Sequence, residues 1–339
     1  MMNYLVRASS LAGIRSTITS LGGDADHVLG RANLLTMEQD PEAWFSYRRF
    51  LLLLDDAAAT THCPHFGLQL ANAQGITALG PVGFVIQQAP DLRSALRELT
   101  RYFVHHNQGA SVSLRVEAGK AHWRFNCKLE GSAPLHQQED LAAGIGVHLM
   151  RLLYNANWSP QAIYFMHAPP ADVRPYKRTL RCPLLFNSDA LQLIFDPAIL
   201  DLPLDNANPE LHRLLEEHLN TLRRTYPDDY CGQVRHLINH ALTTGDCSIE
   251  RVANHMAIGK RTLQRQLKNH QVSYKDLLED VRFDIAKRYL KESSGSLTAL
   301  ADMLCYSALS TFSTAFRQHH GISPRDWRKQ QESPLHRCP

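Results

Sequence analysis

The feature that most constrains this chain is a pattern that occurs twice near its C-terminus. The first copy runs from Ala253 through a turn to Leu267, and the second runs from Ala301 through a turn to Phe316. Apolar positions correspond at an offset of 48 residues before the turn and 49 after it. Each copy predicts a short helix, a tight turn and a second helix with an exposed polar face. This is the pattern of a helix-turn-helix unit, whose second helix enters the major groove of double-stranded DNA.

Charge is distributed unevenly over the 339 residues, in a way that favours two functional parts. Residues 1–230 carry a net charge of −3 and residues 231–339 carry +6, with histidine counted as neutral. A basic part beside a mildly acidic part is typical of a chain in which only one part contacts nucleic acid. The expected division is a domain for effector sensing and dimerisation at 1–204, a linker helix and junction at 205–230, a tandem helix-turn-helix domain at 231–330 and a tail at 331–339.

Periodicity predicts an α+β N-terminal domain followed by an all-α C-terminal domain with two helix-turn-helix motifs. A hairpin is expected at 111–127, where apolar residues alternate on both sides of a turn. Further strands are expected at 161–166 and 190–195. Helices are expected at 9–21, 24–33, 43–60, 92–106, 139–155, 172–181 and 209–224, with a loop at 75–81. After Tyr230 the pattern predicts helices alone, at 230–243, 248–256, 260–269, 273–292, 298–304, 310–319 and 323–330.

The second helix of the first unit has the side chains that read base edges. Its buried seam is Leu263 and Leu267, and the residues expected to face outward are Lys260, Arg261, Gln264, Arg265 and Lys268. Arginine binds guanine and glutamine binds adenine in a bidentate manner, so the middle of this helix is suited to base recognition. The two lysines, at the ends of the helix, are better placed for phosphates.

The corresponding helix of the second unit is chemically weaker. Phe312 and Phe316 form its buried seam, and the residues expected to contact DNA are Ser310, Thr311, Ser313, Thr314 and Arg317. Short hydroxyl side chains provide no long bidentate reader in mid-helix. We therefore expect the first unit to supply most base discrimination. The second unit is expected mainly to hold the duplex through contacts that discriminate weakly between bases. The helix at 273–292 is about 30 Å long, close to the roughly 34 Å between successive major-groove faces.

Several runs of residues resemble the AraC/XylS family of bacterial transcription regulators. The clearest are 261–267, 286–290, 312–317 and 321–328, and looser cues in the N-terminal part are 65–68, 79–83, 92–96, 101–103 and 183–186. The resemblance implies a regulator, here expected to be an activator, that binds promoter DNA as a homodimer and contacts RNA polymerase. It also implies an arabinose-binding-like N-terminal domain that senses a small-molecule effector, mediates dimerisation, or does both.

The chain departs from the family pattern at four positions. Ala257 and Cys305 stand in the two turns where the family often has glycine, which would cost about 1 kcal/mol if the backbone there is left-handed. Gly259 replaces the frequent serine at the start of the first reading helix and is a weaker N-cap. Thr314 replaces the usual arginine of the second reading helix, which strengthens the expectation of unequal reading.

An effector pocket is harder to identify from the sequence. The candidate residues are Tyr102, His105, Trp123, Arg124, Tyr164 and His167, although Tyr102, Trp123 and Tyr164 are more typical of core aromatic residues than of a pocket. The run His62-Cys63-Pro64-His65 lacks nearby carboxylates and is a poor metal site. We therefore expect no metal and no cofactor.

The same sequence bears on alternative functions and on cellular location. The chain has no recognisable catalytic motif, which argues against an enzyme or a small-molecule carrier whose C-terminal helices serve only assembly. A regulator that responds to a protein partner instead of an effector stays open. The first 21 residues lack the apolar core of a signal peptide and the run 51–54 is too short to span a bilayer, so a bacterial cytoplasmic protein without membrane contact is expected.

Overall fold

The computed structural model describes residues 4–129, 135–205, 207–225, 230–243, 245–256, 258–293 and 295–332. The chain divides into two compact units, Met1–Thr225 and Tyr226–Pro339, called here the N-terminal and C-terminal units. Residues 226–229, where the sequence predicted a junction, lie outside the described residues, as do 333–339 of the predicted tail. Within the described residues no helix has the length and apolar character needed to cross a membrane.

The N-terminal unit contains two sheets. Its strands are β1 (Leu5–Arg7), β2 (Trp44–Ser46), β3 (Ala110–Glu117), β4 (Lys120–Cys127), β5 (Ala162–Tyr164), β6 (Leu184–Leu185) and β7 (Leu191–Phe195). Strands β1 and β2 pair antiparallel, and the other five form a sheet in the order β3-β4-β7-β5-β6, with β5 and β6 parallel. The predicted hairpin is confirmed as β3 and β4. Its two turn residues, Ala118 and Gly119, have φ of 50° and 72°, and positive φ at both positions is what a two-residue type I′ turn requires.

The α-helices of this unit pack around the sheets. They are α1 (Ile14–Ser20), α2 (Ala25–Arg31), α3 (Tyr47–Thr60), α4 (Phe66–Ala73), α5 (Pro81–Gln87), α6 (Leu92–Tyr102), α7 (His136–Leu153), α8 (Arg174–Leu180) and α9 (Pro209–Thr225). Short 3-10 turns lie at Ala8–Leu11, Met37–Gln39, Ile76–Leu79, Phe103–His105 and Pro197–Asp201. Helix α7 packs on α4 and, like α6, on the five-stranded sheet. Glycine permits both approaches, because a Cβ at Gly144 would strike Ala71 of α4 and one at Gly146 would strike Trp123 of β4.

The helix predicted over 209–224, expected as part of a linker, packs against the N-terminal unit. Helix α9 contacts α5, and its His212 lies with Nε2 2.8 Å from Glu98 Oε1 on α6. The hydroxyl of Tyr102 donates to Glu216 Oε1 of the same helix at 3.1 Å. These contacts place α9 within the body of this unit.

Three predictions for the N-terminal unit are wrong. Residues 9–21 are not one helix, because Gly13 adopts φ 75° and separates a 3-10 turn from α1. The expected helix at 43–60 begins only at Tyr47, because Trp44–Ser46 pairs with β1 and is buried. The expected loop at 75–81 contains the 3-10 turn Ile76–Leu79, and α5 begins at Pro81.

The C-terminal unit is helical, as predicted. Its helices are α10 (Tyr230–Thr243), α11 (Ile249–His255), α12 (Lys260–Asn269), α13 (Tyr274–Glu292), α14 (Leu297–Met303), α15 (Leu309–His320) and α16 (Pro324–Glu332). The oxygen of Ser273 caps α13 in a reciprocal capping box with Asp276. Phe283, Ala286 and Leu290 of α13 pack into one apolar cluster with the seam residues Phe312 and Phe316 of α15. The long helix is therefore part of the core that supports the second unit.

Candidate nucleic-acid interface and effector cavity

The two helix-turn-helix units share the same local geometry. Ser248 and Ser296, 48 residues apart, cap the first helix of each unit by accepting a backbone N–H. After each first helix, the amide of Ile258 donates to the carbonyl of Ala253, and that of Tyr306 donates to the carbonyl of Ala301, both at 3.0 Å. The repeat found in the sequence is therefore also a repeat of caps and turn hydrogen bonds.

The turn of the second unit has the backbone conformation for which its family pattern uses glycine. Cys305 has φ 54°, in the left-handed region. Its conformation is supported by Arg282 of α13, whose guanidinium donates to the Cys305 carbonyl at 2.9 Å and lies over the Tyr306 ring at 4.2 Å. The corresponding residue of the first turn, Ala257, lies outside the described residues.

Helix α12 presents its polar side chains to solvent. Leu263 and Leu267 are fully buried, and the five outward positions Lys260, Arg261, Gln264, Arg265 and Lys268 are all exposed. In the described part of the chain no carboxylate lies within ion-pair distance of Arg261, Arg265 or Lys268. Lys260 differs, because its Nζ lies 2.7 Å from Glu250 Oε1 on α11. In the second unit Leu309 stands at the position of Lys260 and Thr298 at that of Glu250, so no ion pair can form there.

Helix α15 has a shorter polar face. Phe312 and Phe316 are fully buried, while Ser310, Thr311, Thr314 and Arg317 are exposed and Ser313 is half-buried. Its last turn carries two histidines beside core aromatic rings: the ring of the exposed His319 lies 4.5 Å from that of Phe283, and the ring of the half-buried His320 lies 4.5 Å from that of Phe316. Arg317 is thus the long cationic side chain that this face offers.

An open groove of about 810 Å³ follows one side of α12 to the beginning of α13. Lys260, Gln264 and Lys268 line it from α12, and Lys275 lines it from α13. The groove also contains the capped N-terminus of α13 at Ser273. Three lysines around one groove, against the single carboxylate of Asp276, favour an anionic occupant such as a phosphate chain.

A cavity of about 50 Å³ lies inside the N-terminal unit, between α3, α6, α7 and the buried face of the sheet. Its lining is mainly aliphatic and aromatic and includes no Asp, Glu, Lys or Arg. Three of the lining residues have a buried polar atom to which the described residues supply no hydrogen-bond partner: His106 Nδ1, Trp123 Nε1 and Gln138 Oε1. Burial, and secondarily the charge of Arg7, lowers the pKa of His106 to about 3, so this ring is neutral at neutral pH.

A second hollow of about 220 Å³ adjoins this cavity. Gln74, Leu79, Ile145 and Leu149 line both spaces and therefore form the wall between them. This wall consists of side chains, so the two spaces would join if Leu79, Ile145 or Leu149 changed rotamer, whereas Gln74 is held by hydrogen bonds to the carbonyls of Ser10 and Ala12. The two spaces together approach the lower limit of typical small-ligand pockets.

The structure does not gather the six effector candidates into one site. Trp123 lines the cavity, whereas Arg124 and Tyr164 lie on the opposite face of the sheet, both in register with Gln192. Tyr102 and His105 are buried at the end of α6, with their rings 6.2 Å apart. His167 belongs to a separate cluster, with Nε2 3.2 Å from Asp140 Oδ1.

Sequence reasoning missed the residues that share the cavity with Trp123. Trp123 lies on β4 and Gln138 on α7, whereas His106 follows the 3-10 turn that ends at His105. No spacing rule links them, because only the packing of α7 on the sheet brings them together.

Two geometrically matched helix-turn-helix units, with an exposed basic reading helix, define a sequence-reading DNA-binding protein of the helix-turn-helix class. Comparison with known families is consistent with this class. Residues 22–204 match the family model described as the arabinose-binding domain of AraC transcription regulators, N-terminal, and residues 252–330 match a helix-turn-helix domain. The chain belongs to the AraC family and is a DNA-binding transcription regulator with an N-terminal domain of the effector-sensing type.

Curated relatives extend over nearly the whole chain. The transcriptional regulator VirS of Mycobacterium tuberculosis is 29% identical over 330 residues, which are 96% of this chain and 97% of VirS. The ornithine utilization regulator of Pseudomonas aeruginosa is 25% identical over 293 residues, 85% of this chain and 86% of that protein. The crystal structure of the regulator CdpR from Pseudomonas aeruginosa is 19% identical and covers 89% of this chain and 97% of its own, with a TM-score of 0.45.

Proposed function

We propose that this regulator recognises its operator mainly through Arg261, Gln264 and Arg265 of α12. The observation that carries the proposal is that these side chains are exposed on one helix whose opposite seam is fully buried. Because Arg261 and Arg265 have no carboxylate partner among the described residues, no ion pair has to break before they bind a base. Helix α15 then supplies weaker contacts in a second groove, through Ser310, Thr311, Ser313, Thr314 and Arg317.

Phosphate contacts are proposed for the two lysines of α12. Lys268 is exposed and lines the groove beside the helix. Lys260 must exchange its contact with Glu250 for a phosphate, and exposed pairs of this kind contribute little to stability. A phosphate can therefore compete for Lys260.

The test is a binding series with Arg261→Ala, Arg265→Ala and Arg265→Lys on a specific operator. Each alanine variant should lose about 1–3 kcal/mol, or about 5- to 150-fold, because a bidentate contact to guanine is lost. Arg265→Lys is the matched control, because lysine keeps the positive charge but lacks the planar guanidinium that forms two parallel hydrogen bonds. This variant should lose sequence preference while the salt dependence of its affinity stays the same. Full retention of specificity by Arg261→Ala and Arg265→Ala would contradict the assignment.

The N-terminal unit is proposed to sense a small, uncharged and mostly apolar molecule in the cavity beside Trp123. The apolar lining supports this, as do the unpartnered polar atoms of His106, Trp123 and Gln138, since buried polar groups normally have partners. A sugar, which has a hydroxyl group on most of its carbons, fits this lining poorly. A zwitterionic amino acid would find no charged partner among the lining residues.

This proposal is testable by a thermal-shift screen against sugars, amino acids, fatty acids and small uncharged apolar alcohols. The stabilising compounds should be the uncharged ones that are apolar with one polar end, because only ligands of the folded state raise the unfolding temperature. The substitution Ala142→Leu should abolish the shift, since Ala142 lines the cavity. Stabilisation by sugars, or an unchanged response of Ala142→Leu, would contradict the proposed site. A complete lack of hits would favour control by a protein partner.

The remaining proposals follow family membership. We expect a homodimer, and the exposed Leu211 and Leu214 of α9 offer apolar surface that a second copy could cover. We also expect action on promoter DNA in the bacterial cytoplasm, as an activator that contacts RNA polymerase and performs no catalysis itself. The effector would act by binding two states of the protein with different affinity. The domain roles and limits are proposed as 1–204 for sensing and 231–330 for DNA.

A further inference from the structure

A cluster of metal-ligating side chains lies at the beginning of α7, apart from the DNA interface. His136 and Asp140 are one helical turn apart on α7, and His167 follows β5. His167 Nε2 lies 3.2 Å from Asp140 Oδ1, and His136 Nε2 lies 3.6 Å from Asp140 Oδ2. The ligand atoms of the three residues all lie within 4.8 Å of one another. The three donor atoms thus lie close enough together to share one ion, and His136 Nε2 also lies 3.2 Å from the hydroxyl oxygen of Tyr176.

This spacing is close to that of a metal site. Ligands bound about 2.1 Å from a tetrahedral ion are separated by about 3.4 Å. The two separations measured from Asp140 bracket that value. Two imidazoles and one carboxylate are a donor set for divalent transition metals, with further positions open to water or another ligand.

The surrounding contacts orient these donors. The Nδ1 of His167 lies 2.8 Å from the carbonyl of Ala168, which leaves Nε2 toward Asp140. The hydroxyl of Tyr176 donates to Asp140 Oδ2 at 2.6 Å. The carboxylate of Glu139 accepts from the backbone amide of His167 at 3.3 Å and so holds the segment after β5. Metal-binding histidines and carboxylates normally have such a second set of hydrogen bonds.

Burial also favours a cation at this place. The Asp140 side chain is fully buried and that of His167 is 10% exposed, whereas that of His136 is 35% exposed. A carboxylate buried to this extent is stabilised by hydrogen-bond donors or by a positive charge beside it. Tyr176 and His167 contact its two oxygens, and an ion would add the positive charge. The half-exposed His136 leaves a route by which an ion could reach the site from solvent.

We propose that His136, Asp140 and His167 bind one divalent transition-metal ion such as Zn²⁺. This site is separate from the proposed DNA contacts and was not expected from the sequence, where His136 and Asp140 were not singled out. The first turns of α7 also carry Gln138, which lines the effector cavity. A bound ion would therefore hold in place one wall of that cavity.

The test uses the full chain after removal of metals with a chelator. Titration calorimetry with Zn²⁺ should give one ion per chain, and Co²⁺ should give the visible absorption of a four- or five-coordinate site with nitrogen and oxygen ligands. His136→Gln and His167→Gln should each bind at least about tenfold more weakly. His27→Gln, at an exposed histidine of α2, is the matched control and should bind as the unaltered chain does.

Protein unfolding provides a second readout that does not depend on DNA binding. Zn²⁺ should raise the unfolding temperature of the unaltered chain and of His27→Gln but not of His136→Gln. Circular dichroism without metal checks that His136→Gln is folded, which is expected because His136 is half-exposed at a helix end. Three results would overturn the proposal: no Zn²⁺ binding, undiminished binding by both His136→Gln and His167→Gln, or a thiolate-to-Co²⁺ charge-transfer band that reveals cysteine ligation. A site made only of hydrogen-bonded histidines and aspartate would give the first result.

Discussion

At the scale of single residues, the position of a side chain on its helix decides what it can contact. Leu263 and Leu267 define the buried seam of α12, and this seam leaves Arg265 and Lys268 toward solvent. Both orientations could be predicted from the sequence, because helical periodicity fixes which positions share a face. The ion pair between Lys260 and Glu250 could not, since it joins two helices whose relative position depends on the turn.

The residue Lys268 gives a prediction about ionic strength. Lys268→Ala should weaken binding to specific and nonspecific DNA alike and should reduce the slope of log K against log salt by about 0.9, because one phosphate contact is lost. The measurement is a salt titration of affinity for both kinds of DNA. Lys291→Ala, an exposed lysine at the far end of α13, is the control. An unchanged slope for Lys268→Ala would argue against a phosphate contact.

The residue His106 gives a prediction about pH. Its pKa falls from the ordinary 6.5 to about 3 on burial, so between these values the unfolded chain binds more protons than the folded chain. The free energy of unfolding is therefore unaffected by this group above pH 6.5, and it decreases as the pH falls from 6.5 toward 3. Between pH 7 and pH 5 the loss is about 2 kcal/mol.

Replacement of His106 checks this prediction. His106→Gln should unfold with a shallower pH dependence than the unaltered chain when denaturant midpoints are measured at pH 7 and pH 5. His27→Gln, an exposed histidine, should keep the original dependence. Equal dependence in all three proteins would show that His106 titrates normally.

At the scale of elements, amphipathic segments were predictable and uniformly buried ones were not. The shorter helices of the C-terminal unit have one apolar stripe each. Every helix of the unit, including α13, which is buried on two sides, was predicted to within about two residues at either end. Helix α4, by contrast, buries Phe66, Leu68 and Leu70 on several sides, so its sequence lacks a helical period. Strand β2 is buried at every residue, and the sequence wrongly placed it in the first turn of the helix predicted at 43–60.

Two glycines at helix ends give opposite predictions for the same substitution. Gly259 is the N-cap of α12 with φ −74°, and Gly321 is the C-cap of α15 with φ 78°. A Cβ at either position would meet no atom within 4 Å. Gly259→Ser should stabilise its helix by about 0.5–1 kcal/mol, through a cap and a less flexible unfolded chain. Gly321→Ser should destabilise by about 1 kcal/mol, because serine disfavours the left-handed backbone.

Hydrogen exchange of the backbone amides in α12 and α15 measures these changes locally. Protection should increase in α12 for Gly259→Ser and decrease in α15 for Gly321→Ser. Because each variant is the control for the other, shifts of the same sign in both would contradict the assignment of the two caps.

At the scale of the whole molecule, the DNA-binding part was far easier to predict than the sensing part. A helix-turn-helix unit is local in sequence, so a repeat of seams and caps suffices to identify it. The cavity depends on the packing of α7 against a sheet whose strand order does not follow the chain. His106, Trp123 and Gln138 therefore meet through long-range contacts that periodicity cannot reveal.

The C-terminal unit combines the two reading helices with a long helix that packs beneath one of them. Helix α13 has 19 residues and a length of about 28 Å. Its Arg282 contacts both Cys247, which precedes the first unit, and the turn of the second unit at Cys305. A connection of this kind favours two contacts on DNA at a constant separation, near one helical turn of the duplex.

The central claim is that α12 discriminates between bases, while α15 mainly holds the duplex with little discrimination. Selection of bound duplexes from a random pool tests this claim most directly. We predict one strongly specified segment and, about 10 base pairs away, a second segment with weak preference. Repeating the selection with Arg261→Ala and Arg265→Ala should erase the strong segment and leave the weak one. Two equally specified segments, or a strong segment that survives both substitutions, would contradict the account.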